Sequence, residues 1–195
     1  MILPELQQPP PFLMPISDVF SLHQGRSVLW TGAIERGEVR KGDEVEIVGL
    51  DGGGCGVVTD IDALGKRVNQ AGAGMHVGLV MRGARVCDGR RGHVVAAPGS
   101  MGAHTYFTAD IKLLSEEEGG RDILPGDRLL FHVHTAAVWG AVTLPHGLDA
   151  VPPQGKATVS ITLDKPLALE EGRRFAFRHH SRAAGSGTVT RLLAQ

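Results

Sequence analysis

The stretch Ala157-Thr158-Val159-Ser160-Ile161-Thr162-Leu163 decides the fold class. Apolar and polar residues alternate through it with a period of two. That spacing sets Ala157, Val159, Ile161 and Leu163 on one face, in a core, and the hydroxyls on the other, in water. The same pattern recurs along the chain. Phe107, Ala109, Ile111 and Leu113 alternate with Thr108, Asp110 and Lys112, and Phe175 and Phe177 alternate with Arg174, Ala176 and Arg178. Nearer the start, Val45 and Ile47 alternate with Glu44 and Glu46. Turn formers separate these runs, among them Lys41-Gly42-Asp43, Gly52-Gly53-Gly54, Pro125-Gly126-Asp127 and Gly185-Ser186-Gly187. No stretch carries a helical stripe over three turns, and the best candidate for a short helix is Leu64 to Gln70. Roughly a dozen short strands with even punctuation predict barrels rather than one open sheet. The expected fold is therefore all-β, two tandem antiparallel β-barrels. A Pro-rich lead-in fills residues 1–10, a first barrel residues 11–98 and a second residues 99–195, with the boundary at Pro98-Gly99-Ser100-Met101-Gly102.

Charge is balanced, with 20 Lys and Arg against 21 Asp and Glu for a net −1. Dividing after Pro98 gives ten basic and eleven acidic residues, then ten and ten. Neither part offers a general electrostatic grip on nucleic acid, so any RNA contact has to be local. Arg82, Arg85, Arg90 and Arg91 form one such local cluster. The two cysteines, Cys55 and Cys87, share no metal-ligand spacing. The start, Met1-Ile2-Leu3-Pro4-Glu5, lacks the basic and apolar regions of a signal peptide. No apolar run approaches the roughly 18 residues that span a bilayer. A cytoplasmic location is the expectation.

Pro11-Phe12-Leu13-Met14-Pro15-Ile16-Ser17-Asp18-Val19-Phe20 resembles the opening of domain 2 in the elongation factor Tu family. Thr31-Gly32-Ala33-Ile34-Glu35-Arg36-Gly37, Lys41 to Leu50 and Val77 to Gly83 resemble later strands of that domain. Domain 3 of the family is matched by Pro98-Gly99 with His104-Thr105, by Glu117-Glu118-Gly119-Gly120-Arg121, and by Ala168 to Ala176. The family's GTPase domain would stand ahead of Pro11, and no G-x-x-x-x-G-K-[ST] phosphate loop occurs in the sequence. Without that loop phosphoryl chemistry has no catalyst, so no GTPase activity and no cofactor are expected.

The family grips the end of aminoacyl-tRNA, and the resemblance implies where. The terminal adenine would lie near Ile47, Gly49, Asp62 and Val80. His76 takes the place of an Asn in the aminoacyl pocket. Arg91 aligns with an arginine near the tRNA 5′ end, and Arg121 with one on the acceptor arm. Gly126-Asp127-Arg128-Leu129-Leu130-Phe131 replaces the family's Gly-Tyr-Arg-Pro-Gln-Phe docking stretch, which implies a changed partner.

Two function classes follow. One is a non-catalytic module that binds the acceptor end of aminoacyl-tRNA, or another RNA end, weakly. The other is a protein-interaction module or decoy that binds translation components, such as a translation factor, a ribosomal component or a separate GTPase. His132-Val133-His134 sets two imidazoles on one strand face, but no third ligand stands at a fixed spacing, so no metal is expected. Gly185-Ser186-Gly187 reads as a hairpin turn rather than a nucleophile elbow, and no catalytic residue is assigned. Trp30 and Trp139 read as core or half-buried strand residues.

Overall fold

The computed structural model describes residues 9–22, 24, 27–82 and 89–193. Sixteen strands and no α-helix are found among them, and no helix is long and apolar enough to cross a membrane. The first ten strands are β1 (Leu13–Pro15), β2 (Asp18–Leu22), β3 (Ser27–Ala33), β4 (Glu38–Arg40), β5 (Glu44–Val48), β6 (Gly54–Ala63), β7 (Lys66–Val68), β8 (Gln70–Gly72), β9 (His76–Arg82) and β10 (Val94–Ala96). They form one curled antiparallel sheet of order β1-β10-β5-β6-β9-β3-β2, with β7 paired to β6 and a small β4-β8 ribbon beside it. Six more follow: β11 (Gly102–Leu113), β12 (Arg128–Val133), β13 (Ala136–Thr143), β14 (Lys156–Leu169), β15 (Arg174–His179) and β16 (Arg182–Leu192). These close into a barrel of order β11-β14-β13-β12-β15-β16, in which β16 returns to pair with β11.

The two units close differently. In the second, an unbroken ladder runs round the barrel, and the alternation read at Val159 and Ile161 points both into its core. In the first, the chain bends at Ile16-Ser17, so that β1 pairs with β10 while β2 pairs with β3. The bend brings the sheet's two ends together. The Ser17 N–H donates to the Thr31 carbonyl at 2.8 Å and the Leu13 N–H to the Arg36 carbonyl at 3.1 Å. A side chain is excluded there, because a Cβ on Gly32 would stand 2.1 Å from the Pro15 carbonyl oxygen.

Two local expectations are corrected. Leu64 to Gln70 is not helical: Leu64 and Gly65 (φ 53° and 80°) are the two central residues of the β6–β7 hairpin. The Asp62 carboxylate accepts the Gly65 N–H at 2.8 Å, a turn-forming bond that competes with helix. Gly185-Ser186-Gly187 is not a turn but lies within β16, with the hairpin turn displaced to His180-Ser181 (φ 45° and 64°). The glycines are needed because Phe177 and Phe175 pack over them: their rings would lie 2.6 and 2.5 Å from a Cβ at positions 185 and 187.

Each unit has its own core. Trp30, Ile47, Ile61, Leu79 and Met81 fill the first, and Phe107, Phe131, Phe175 and Phe177 with aliphatic neighbours fill the second. A third cluster joins them: Leu13, Val48, Val94 and Ala96 from the first unit meet Met101 and Ala168 of the second.

Candidate nucleic-acid interface

Cross-strand register assembles an outward face on the first unit. Phe20, Leu29, Val80 and Asp60 are successive partners across β2, β3, β9 and β6, so they point the same way. Phe20 is 51% exposed, and Leu29 and Val80 are partly so. The next row contains Asp18, Thr31, Gly78, Asp62 and Arg67. Leu29 leans over Gly78, where a Cβ would come within 2.6 Å of its Cδ1. Asp60 is paired with Arg67 at 2.6 Å and Lys41 at 3.7 Å. Asp62 spends one oxygen on Gly65 and keeps an accessible carboxylate beside Val80. His76 is exposed at the start of the same strand as Val80.

Of the residues singled out for an RNA end, this face gathers Asp62, Val80 and His76. It does not gather Ile47 or Gly49. Ile47 is 2% exposed inside the first core, opposite Val95 and Gly54. Gly49 is buried against the Gly92 carbonyl and the Ala168 N–H, between the two units. Neither residue therefore shares a surface with Val80. The apolar neighbours of Val80 are Leu29 and Phe20, and their parity with Asp18 and Thr31 across the β2–β3 hairpin is the sequence signal that identifies them.

A second outward row lies on the closed barrel, where Trp139, Leu130 and Arg178 are partners across β13, β12 and β15. Trp139 is 45% exposed and so is a surface residue, whereas Trp30 is fully buried as a core residue. Its parity opposite the inward Val138 and Val142 marks it as outward. His132 stands two residues along β12, and burial, with Arg178 beside it, pushes its imidazole below the usual range. Arg121 is exposed and acts electrostatically on His179. The rings of His179 and His180 lie 4.2 Å apart. Burial lowers the pKa of His179 despite Asp127 at 3.9 Å. Among the described residues no group of three or more His, Cys, Asp or Glu is placed to hold a metal.

Arg91 is exposed, and the following Gly92 N–H donates to Thr135 Oγ1 at 3.1 Å across the seam between the units. Arg90 pairs with Asp51 at 2.6 Å, so it is not a free cation. Arg85, Cys87 and the side chain of Arg82 lie outside the described residues.

The seam itself is held by charge as well as by apolar packing. Glu35 of the first unit accepts from His134 Nδ1 at 3.1 Å and from Arg173 at 2.9 Å, and Arg36 donates to Glu170 at 2.6 Å. Arg173 also pairs with Glu170 at 2.7 Å, which links the four charged side chains into one network. The hydrogen bond from His134, with Arg173 beside it, outweighs burial and lowers Glu35 to about 2. Burial raises the Glu170 carboxyl, but Arg36 and Arg173 outweigh it and hold it below the usual range. The Thr135 hydroxyl donates to the Ile16 carbonyl at 2.7 Å, and the Leu50 N–H to the Pro166 carbonyl at 2.6 Å.

The site thus consists of two barrel-like units that share a sealed seam and carry outward rows of apolar and charged side chains. Residues 100–193, the span of the second barrel, match the model of the family described as elongation factor Tu C-terminal domain.

Proposed function

We propose that the protein is a non-catalytic translation-factor-like binding module whose two outward rows hold an RNA end. On this reading residues 11–98 are the counterpart of the family's domain 2 and residues 99–195 of its domain 3. The observation that carries the proposal is Trp139, exposed on the family-matched barrel with Arg178 on the same cross-strand row. An exposed indole offers a stacking surface for an unpaired base, with a guanidinium two strands away on the same row to meet the backbone, and such stacking contributes about 1 to 3 kcal/mol per base. Phe20, Leu29 and Val80 with the Asp62 carboxylate make a second platform, in which the carboxylate accepts from a base amino group. The near-neutral charge supports a weak complex, with Kd on the order of micromolar to tens of micromolar.

A titration with charged and uncharged tRNA at two salt concentrations tests this. Binding that weakens several-fold in Trp139→Ala and in Asp62→Asn is the expected result. Absence of binding by either tRNA at about 100 micromolar, where a complex of that strength would be populated, removes the RNA reading.

A second reading is a docking module for a translation factor, ribosomal component or separate GTPase. Strand β2 favours it: an edge strand exposed along most of its length, it carries Val19 and Phe20 at 37% and 51% exposure. Unpaired edge groups are a template for strand addition. Affinity capture with identification of both RNA and protein separates the two.

A further inference from the structure

A groove lies on the closed barrel, away from Trp139. Trp139 sits on β13 beside β12, whereas the groove crosses β14, β11, β16 and β15. It has a volume of about 720 Å³ and an open mouth. Two outward rows line it. Lys156, Lys112 and Ser186 are partners in one; Thr158, Asp110, Thr188 and Arg174 are partners in the other. Cross-strand partners point the same way, so Lys112 and Lys156 stand directly opposite each other on one face. Like charges in that position destabilise a sheet. Among the described residues they are offset only in part, by Asp110 in the groove and by Glu118 at its end. Among the described residues Lys112, Lys156 and Arg174 have no hydrogen-bonded or ion-paired partner. Asp110 already accepts from the Thr158 hydroxyl at 2.5 Å. At the groove's end Glu118 is engaged by the Ser115 N–H and hydroxyl at 3.1 and 2.8 Å and acts on Lys112 only as a nearby charge, without a direct ion pair. Three cations against one lining carboxylate leave a positive basin in a protein whose net charge is −1. The hydroxyls of Ser186 and Thr188 line the groove between Lys112 and Arg174 as hydrogen-bond donors.

We propose that this groove is a binding site for a compact polyphosphate, such as the diphosphate group of a small metabolite. An anion seated between Lys112 and Lys156 turns their repulsion into two attractions. The hydroxyls and Arg174 supply directed donors for phosphate oxygens. Its volume falls within the range of small-molecule sites. The inference is independent of the RNA reading, since it uses neither Trp139 nor Asp62.

The test is an amide-shift titration of the full chain with inorganic pyrophosphate. Saturable shifts at residues 110–112, 156–158 and 186–188, with Kd at or below the order of a millimolar, are expected. The double variant Lys112→Gln, Lys156→Gln should weaken binding by about tenfold, roughly 1.4 kcal/mol, while Lys66→Gln, an exposed lysine of the other unit, leaves it unchanged. Without ligand the same double variant should melt no lower than the parent, which separates lost binding from lost folding. Three outcomes overturn the proposal: no saturable shift in that range, equal shifts with sulfate at matched ionic strength, or a response of these amides to single-stranded RNA but not to pyrophosphate.

Discussion

The two units solve one problem, the closure of a twisted antiparallel sheet, by different means. The second does so with hydrogen bonds throughout and fills its interior with a phenylalanine cluster. Phe175 lies 5.9 Å from Phe107 and 5.8 Å from Phe131, edge-on to both. The first closes through a chain bend and a few single bonds, and its core holds two rings, Phe12 and Trp30, the Trp30 Nε1 being buried with no partner among the described residues. What it lacks in ladder it recovers from its neighbour. The outer faces of β1 and β10, and Val48 at the end of β5, do not meet water; they press on Met101 and Ala168. A barrel that finishes itself keeps most of its outer surface free, with the Ala168 end of β14 given to the seam, whereas one finished by its neighbour gives up the outer faces of β1 and β10.

The largest effect expected from this contrast comes from the self-contained unit. Phe175→Ala empties the centre of the aromatic cluster, and truncations of this kind cost about 3 to 5 kcal/mol. The urea midpoint should fall accordingly. A loss below about 1 kcal/mol would mean that the second barrel does not depend on this cluster.

Next comes the seam. Glu35→Gln takes the charge from a carboxylate that His134 and Arg173 both engage, and should cost about 1 to 3 kcal/mol. The pH dependence has a definite sign. The folded-state pKa of Glu35, about 2, lies below the ordinary 4.5, so its contribution is complete above about 4.5 and fades as pH falls towards 2. Thermal midpoints measured from pH 6 to pH 2 should drop in the parent, and drop less steeply in Glu35→Gln. Glu170 and Asp51 are shifted the same way, so part of the slope persists. An identical slope in parent and variant would show that Glu35 plays no part in joining the units.

The same contrast explains what could be read from the residues alone. Strands with one wet face advertise themselves by alternation, which is why Phe107 to Leu113 and Ala157 to Leu163 were legible. Leu13-Met14 and Val94-Val95-Ala96 are buried on both faces, so they carry no alternation, and three-residue strands such as β4, β7 and β8 are too short to show any. Asp62, Val80 and His76 share a face because their parity is local and survives folding. Ile47 and Gly49 lie away from that face for two reasons. Local alternation with Glu44 and Glu46 turns Ile47 into the core, and the second barrel covers Gly49. The groove with Lys112 and Lys156 was hidden because its two lysines are 44 positions apart and meet only through register.

A smaller effect, of opposite sign, is expected at the β6–β7 hairpin of the first unit. Leu64 is 91% exposed and holds a left-handed φ of 53°. A side chain that pays this backbone cost and buries nothing is replaceable. Asn-Gly is the preferred pair for such a turn, so Leu64→Asn should stabilise by about 0.5 to 1 kcal/mol. A lower thermal midpoint would mean that Leu64 is held by a contact the fold does not reveal.

The smallest effect separates ion pairs by where they stand. Arg128 pairs with Asp164 on the outside of the second barrel, with side chains 55% and 48% exposed. Arg36 and Glu170, in the seam, are 25% and 29% exposed. Water screens the first pair, and two long side chains lose freedom to make it, so Asp164→Asn should change stability by no more than about 0.5 kcal/mol. In the seam pair, removal of one charge leaves the other partly desolvated, so Glu170→Gln should cost more, and its cost should resist added salt. Denaturation of both variants at low and high salt decides the matter. Equal costs would mean that the seam is as wet as the surface and that apolar packing alone joins the two barrels.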